Sequence, residues 1–577
     1  MALLSFIVIS FGILIASTQA RVYQGIDELP ATSRFDFIIA GGGNAGSVLA
    51  GRLTEDPKFN VLLVEAGEDN DGVLPIRVPG GRIPLSYTWN YTVTPQIGLN
   101  NRTFYFMRGR VLGGSSSVNG MIYTRGAADD YDLWARVTGD RGWNWKNLFP
   151  YALKHEEFTG GVGGRDVTGQ YDPRAHGTKG PVKVGLPWRD PIEFDNVCVE
   201  AAKSSREFGF NLDVNDGGTL GLTWIHNTFG GGERSSSATA YLTKEVRARP
   251  NLSILVNTYV TRVLPEGDDL DFRTIELVPV SGGNTTTLTA KKEVILSGGT
   301  VGSAHILLNS GIGDREHLSE VGIETIHHLP DVGKGLTDHG VTPFMAPSNF
   351  PLEPPPFDYE EALQEWQQNK TGPLSESGFQ NLILWSRISR RSSLFKEYED
   401  PASGPGAPHI EYALTTTGAI TGAQVFLMTP HSRGSIRLRS NNPLDTPLID
   451  LGLLSHPFDI LAYKEGYRII KKFYNLPAWK DHITGPFEID PDILSDEEFE
   501  QRIRNGLQSA LHPVGTAAMS SKRSKKGVVD PELRVKGVKG LRVVDASVIP
   551  YVPTAHTQAP VYILAERAVD IIRSVWL

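Results

Sequence analysis

The sequence predicts an α/β protein with a doubly wound, Rossmann-like sheet, and three observations carry this. An apolar run, Phe35–Ala40, feeds directly into Gly41-Gly42-Gly43-Asn44-Ala45-Gly46 and then into the helical pattern Ser47–Leu53. A second apolar run, Asn60–Val64, ends in an acid, Glu65, 19 residues past Gly46. The 577 residues are 40% hydrophobic and 21% charged, the proportions of an ordinary globular chain.

Each element has a physical reason. Runs without polar alternation are what parallel strands buried on both faces require. G-x-G-x-x-G between strand and helix is a dinucleotide signature: Gly41 makes the tight turn, Gly43 lets backbone approach a pyrophosphate, and Gly46 lets helix and strand pack closely. Asn44 and Ala45 complete the loop, where free N–H groups and the positive end of the helix dipole meet phosphate. Glu65 suits a ribose hydroxyl and disfavours a 2′-phosphate. Gly540–Ala546 reads as a further strand of the same sheet. Thr557–Arg573 reads as a helix, with Pro560 in its first turn and apolar residues recurring at Val561, Leu564, Ala565, Ala568 and Ile572.

Composition excludes several functions. Net charge is -9, from 65 acidic and 56 basic residues, so there is no footprint for nucleic acid. The single cysteine, Cys198, forbids an internal disulfide and a cysteine-based metal site, and reads as a small buried hydrophobe. His327-His328 lacks companion ligands, so no metal is expected. Ser115-Ser116-Ser117 lacks the G-x-S-x-G context of a nucleophile elbow. Lys522–Lys526, Thr159–Gly169, Pro351–Pro356 and Asp400–Pro408 read as surface loops. Residues 1–20 read as a cleaved secretory signal, too short in its apolar run for a membrane span. No later segment reads as a span, so no stable membrane association is expected. Sequons at Asn90, Asn101, Asn251, Asn284 and Asn369 accord with secretion and are the candidate glycosylation sites. A secreted protein favours a dinucleotide that stays bound, hence FAD over NAD.

Gly109–Gly126, reading GRVLGGSSSVNGMIYTRG, resembles throughout the first signature of the glucose–methanol–choline (GMC) oxidoreductases. Gly299–Gly313 is similar to the second, with Ala304 where Ser or Pro is usual. Glu233–Ala238, Leu329–Lys334 and the chain from His512 onward extend the likeness from about residue 35 to the end. The resemblance implies FAD contacts by Arg110, Gly113, Gly114, Ser115, Asn119, Gly120 and Met121. It also implies that Val260 lies at the adenine end, that Asp545 and Ala546 lie near the pyrophosphate or ring, and that the helix beginning at Thr557 points its dipole at the flavin. Two histidines follow from the same likeness: His512 as catalytic base, and His556, 44 residues later, holding the substrate oxygen. Oxidising an alcohol removes a proton from oxygen and a hydride from carbon; a neutral imidazole takes the first and flavin N5 the second.

The implied organisation is an FAD domain from 35–85, 215–340 and 535–577, a flavin-covering loop region at 86–149, and a substrate domain with an antiparallel sheet from 150–214 and 341–534. The expected substrate is a primary alcohol, aryl or allylic first. A sugar, or an alcohol of secondary metabolism, comes second, and O2 or a quinone is the acceptor. Gly142–Trp145 and His512-Pro513 resemble the aryl-alcohol oxidases, but those carry aromatics where Gly120 and Leu511 stand, so Leu511 is the candidate pocket residue. Val118-Asn119-Gly120 looks more like the pyranose dehydrogenases, which attach FAD through a histidine at the position of Val118. Valine cannot form that bond, so noncovalent FAD is expected. A non-redox hydroxynitrile lyase and a flavin-bound storage protein remain as readings from other classes.

Overall fold

The computed structural model describes residues 22–577 except 31, 268, 353–355, 377, 379 and 380. The expected signal segment, 1–20, lies outside the described residues.

Two large sheets organise the molecule. In the first, parallel strands run in the order Val22–Tyr23, Leu252–Leu255, Val61–Val64, Phe35–Ala40, Thr286–Leu296, with Leu541–Val543 alongside Val294–Leu296. Every residue of Phe35–Ala40 and Val61–Val64 is buried, as runs this rich in apolar residues require, and the one acid among them, Asp36, accepts the Asn60 N–H (2.9 Å). Thr286–Leu296 belongs to two structures at once. Its second half completes the parallel sheet, and its first half enters an antiparallel meander with Asp271–Pro279 and Thr258–Glu266. The helices Asn44–Leu53 and Gln558–Trp576 pack together against this sheet in one hydrophobic core.

The second sheet is antiparallel throughout: Gln508–Ser509, Gly340–Pro347, Ile420–Leu427, Ile410–Thr416, Leu382–Ser386 and Gly221–Trp224. Alternation gives it two faces. Leu384, Tyr412, Leu414, Val425 and Phe344 pack in one core with Tyr463, Tyr467 and Phe473 of the helix Pro457–Tyr474. Ile383, Trp385, Ala413, Phe426 and Met428 turn the other way, toward Ile122.

Three stretches differ from expectation. Gly221–Trp224, within 215–340, is the edge strand of the second sheet, because its hydrogen bonds go to Leu382–Trp385. Val514, Ala517, Met519, Val528, Val529 and Leu533, within 341–534, are buried in the core of the first. Thr159–Gly161, read as loop, ends the strand Glu156–Gly161, which pairs in parallel with Val182–Leu186. Cys198 is buried on the helix Glu193–Ser204, as a small hydrophobe should be.

A buried charge network fixes the end of the 109–126 segment. Arg125 pairs with Glu156, and its guanidinium also donates to the carbonyls of Ala175 (2.5 Å) and Asn215 (2.8 Å). His176 lies between Glu156 (2.5 Å) and Asp213 (2.7 Å), using both ring nitrogens. Two positive and two negative groups thus balance with almost no water contact. Burial opposes the charge on His176, but the two carboxylates overcome it and raise its pKa to about 9. Glu156 resists burial through Arg125 and His176 and is held down at about 2. His176, Asp213 and His226 bring possible ligand atoms within 4.8 Å of one another. His176, however, protonated on both nitrogens, offers no lone pair to a metal.

Two outcomes follow. A Cβ on Gly46 would lie 1.9 Å from the Gly41 carbonyl oxygen, so Gly46→Ala forces strand and helix apart. It should cost about 1–3 kcal/mol, read as a lower melting temperature. His176 has a folded pKa above its ordinary 6.5. Its stabilisation is therefore complete below pH 6.5 and lost as pH rises through 9, up to about 3 kcal/mol in all. Melting temperature should fall between pH 7 and 9.5 in the native protein, and His176→Gln should start lower and lose that slope.

Candidate active site

The glycine loop is braced from the second strand. Glu65 accepts the Gly42 N–H through Oε2 and the Gly67 N–H through Oε1, both at 2.8 Å. Burial raises its carboxyl to about 7 against the pull of those two bonds and of Arg110. Gly41 takes φ +111°, and a Cβ there would strike the Ser297 carbonyl at 2.4 Å. The 109–121 segment then lies on the loop. Gly113 donates its N–H to the Gly42 carbonyl (2.8 Å), and Ser116 donates to Asn44 Oδ1 (3.2 Å). Ser115 Oγ accepts from Gly109 (3.2 Å), which folds the segment on itself.

The remaining candidates are spread along one path. Arg110 donates to the Tyr259 hydroxyl (3.3 Å), beside Val260, while Thr258 donates to the Glu65 carbonyl (3.1 Å). Asn119 Nδ2 donates to Gln558 at the start of the last helix (2.5 Å), and Arg234 binds the Asn119 carbonyl (2.7 Å). Gly120 is half-buried, and Met121 is buried with φ +65°. Thr557 caps the last helix without a side-chain bond, so its N-terminal N–H groups stay free. The Asp545 carboxylate is fully engaged, accepting from Gly299, Ser303 and Ser547. What Asp545 and its neighbour Ala546 can offer a ligand is backbone.

These residues fit a dinucleotide. A Cβ on Gly43 would meet nothing nearer than Gly114 Cα at 3.8 Å, so the loop leaves a gap on that side. The Asn44–Leu53 helix has no side-chain cap, and Arg110 Nε is buried without a partner.

His512 and His556 come together, with ring centroids 4.5 Å apart at 76°. His512 follows Leu511, which has φ +63°, a conformation held by three contacts. Arg108 donates to the Leu511 carbonyl (2.8 Å), the Leu511 N–H goes to Ser509 Oγ (2.9 Å), and the His512 N–H goes to Asp338 Oδ1 (2.8 Å). Burial lifts the Asp338 carboxyl to about 6, against its bonds from Ser509 and His512. Burial and the neighbouring His556, His339 and Arg108 push His512 well below its ordinary value, so its imidazole is neutral at physiological pH.

His556 donates its backbone N–H to Thr124 Oγ1 and shares a 2.9 Å ring bond with Glu411 Oε1. Glu411 is wholly buried, and Phe426, opposite it across the sheet, lies 5.9 Å from the His556 ring. His339, Asp338, Glu411, Arg108 and Phe426 escaped the sequence reading. Their only signals were an Asp-His pair before a strand and a lone acid on an apolar strand face.

The sequons part company. Asn90, Asn101, Asn284 and Asn369 are exposed. Asn251 is buried, and its Nδ2 donates to the carbonyls of Thr54, Asp56 and Phe59. A glycan on that nitrogen is incompatible with this fold, so Asn251 is withdrawn as a glycosylation site. His327 binds the Lys536 carbonyl (2.9 Å) and His328 accepts from Arg315 (3.3 Å).

Comparison with known proteins bears on the whole chain. Family profiles described as GMC oxidoreductase match residues 35–341 and 430–565. A pyranose dehydrogenase of Agaricus campestris is 41% identical over 576 residues, covering 95% of both chains. An FAD-dependent oxidoreductase from Chaetomium thermophilum superposes with a TM-score of 0.84 at 31% identity, over 94% of this chain and 100% of that one. A fungal aryl-alcohol oxidase does so with 0.80 at 26% identity, over 94% and 99%.

Asp338→Ala removes the acceptors of the Ser509 hydroxyl and the His512 N–H. It should cost about 1–3 kcal/mol in thermal unfolding. The effect on substrate-driven bleaching of the bound flavin should be larger, because the strained Leu511–His512 turn loses its anchor on the His512 N–H and the partner that orients the Ser509 hydroxyl.

Proposed function

The chain belongs to the GMC oxidoreductase family and is an FAD-dependent oxidoreductase acting on CH–OH groups, and on that premise we propose that it oxidises a small primary alcohol, aryl or allylic, to the aldehyde. The observation that carries this reading is the neutral His512 facing His556 at 4.5 Å, with an aromatic wall, Phe426, beside them.

In this reading His512 takes the hydroxyl proton on Nε2 while His556 holds the same oxygen by a hydrogen bond. Glu411 orients the His556 ring and keeps it from turning away. Gly41, Gly43, Asn44, Ala45, Gly46, Glu65, Arg110, Gly113, Gly114, Ser115 and Val260 hold the dinucleotide half of the cofactor. Asn119, Gly120, Met121, Asp545, Ala546 and Thr557 lie along the flavin half. FAD supplies the acceptor for the hydride that leaves the carbinol carbon. Val118 offers no nitrogen for a covalent link, so the cofactor is held noncovalently. O2 or a quinone takes the electrons onward. Residues 1–20 direct secretion, and Asn90, Asn101, Asn284 and Asn369 are the glycan acceptors. Among the described residues no helix is long and apolar enough to cross a membrane.

A sugar is the second reading, favoured by the 41% identity to a pyranose dehydrogenase and by the buried carboxylate of Glu411, whose Oε2 has no partner.

Anaerobic stopped-flow absorbance decides between them. Bleaching of the yellow protein by p-methoxybenzyl alcohol, and not by D-glucose, supports the first reading; the reverse supports the second. No bleaching by either removes both. Because the His512 pKa is depressed, its base form is lost only as pH falls well below 6.5. The reduction rate should therefore be flat from pH 6.5 upward, and His512→Ala should lower it by about 10²–10⁴-fold. Acid precipitation should leave the flavin in the supernatant.

A further inference from the structure

A third histidine lies behind the catalytic pair. His339 is wholly buried, and its Nδ1 is 3.1 Å from His512 Nδ1, with the two rings nearly perpendicular. The contact is built by the backbone. Gly340 pairs with Ser509 in the second sheet, and the Ala510 N–H donates to the His339 carbonyl (2.8 Å), so the two chains run side by side into their histidines.

Two nitrogens at 3.1 Å share one proton, and its owner decides what His512 can do. If His339 donated, His512 would carry its own proton on Nε2 and could accept none there. If His512 donates, its Nε2 is a bare lone pair aimed away from His339. The base role chooses between the two: His512 can take a proton on Nε2 only if its own hydrogen sits on Nδ1, which points it at His339 Nδ1, 3.1 Å away. The other ring nitrogen of His339, Nε2, is buried without a hydrogen-bond partner among the described residues, so Nδ1 is where the ring is engaged. Burial and the nearby His556 hold His339 neutral, with its pKa lowered to about 3, so it cannot answer His512 with a second proton.

We propose that His339 is a positioning residue that sets the tautomer of His512, accepting its Nδ1–H so that Nε2 stands unprotonated toward the substrate hydroxyl. When His512 receives the substrate proton, the same contact becomes a charge-assisted bond from imidazolium to neutral imidazole. Among the described residues no anion is hydrogen-bonded to the ring of the base. Asp338 meets His512 only at its backbone N–H, Glu411 binds His556, and Arg108 is cationic. A neutral acceptor therefore orients the base while raising its proton affinity less than a carboxylate would.

The inference rests on the alcohol-oxidising reading, and the test separates the two. His339→Asn leaves an amide oxygen at the place of Nδ1, whereas His339→Gln moves it to the place of Nε2. Flavin-loaded enzymes are mixed anaerobically with p-methoxybenzyl alcohol, and with D-glucose. Gln should slow flavin reduction at saturation by about 10–100-fold with KM within about threefold, and Asn should recover most of the loss. The acid limb of the rate profile should move to lower pH in Gln and not in Asn, because the imidazolium of His512 has lost its acceptor. Histidine 15N spectra of the resting wild-type enzyme, with the His512 signal assigned by its loss in His512→Asn, should show hydrogen on Nδ1. Equal rates in Asn and Gln, or hydrogen on His512 Nε2, overturns the proposal. If Gln fails to fold, the wild-type spectrum decides alone. If neither alcohol bleaches the wild-type flavin, the substrate reading falls while the spectrum still tests the tautomer.

Discussion

The hydrogen bond from Gly113 N–H to the Gly42 carbonyl is the contact on which the functional architecture depends. It lays the 109–121 segment on the glycine loop and so joins the proposed cradle for phosphates to the strip proposed to meet the flavin. From there Asn119 reaches the start of the last helix, and Thr124 reaches the backbone of His556. One backbone approach, sterically possible because side chains are missing on both sides, therefore sets the distance between the nucleotide end and the histidines.

The second sheet answers from the opposite direction. Alternation puts Tyr412 into a core and Glu411 against His556 on neighbouring residues of one strand. A one-residue slip of Ile410–Thr416 would bury the acid in the core and swing tyrosine into the site. Register, set by pairing with Ile420–Leu427, is thus as much a part of the proposed active site as the histidines.

How much of this could be read from the residues follows the range of the interaction. The strand–glycine–helix unit is local, so Phe35–Leu53 and Glu65 were visible, and the last helix announced itself through its apolar period. His512 and His556 were found through family likeness, because neither has a local signature. Glu411 and His339 were not found. Their roles come from contacts spanning 145 and 173 residues, and nothing in their neighbourhoods distinguishes them from other buried polar groups. The same limit explains Asn251. Its sequon is a three-residue pattern, whereas the three carbonyls that claim its amide lie on a loop nearly 200 residues away.

The buried ionisable groups also define a climate. As water turns acidic, Glu156 stays ionised until about pH 2 and His176 has long been protonated, so the central network is intact. Glu65 and Asp338 have folded values of about 7 and 6, above their unfolded ones. Each therefore destabilises the fold at high pH, and that penalty is relieved as pH falls through those values. His512, depressed by its neighbours, still keeps its lone pair. The raised values of His176, Glu65 and Asp338 favour the fold in mildly acidic over alkaline water, and the depressed value of His512 leaves its lone pair in place there.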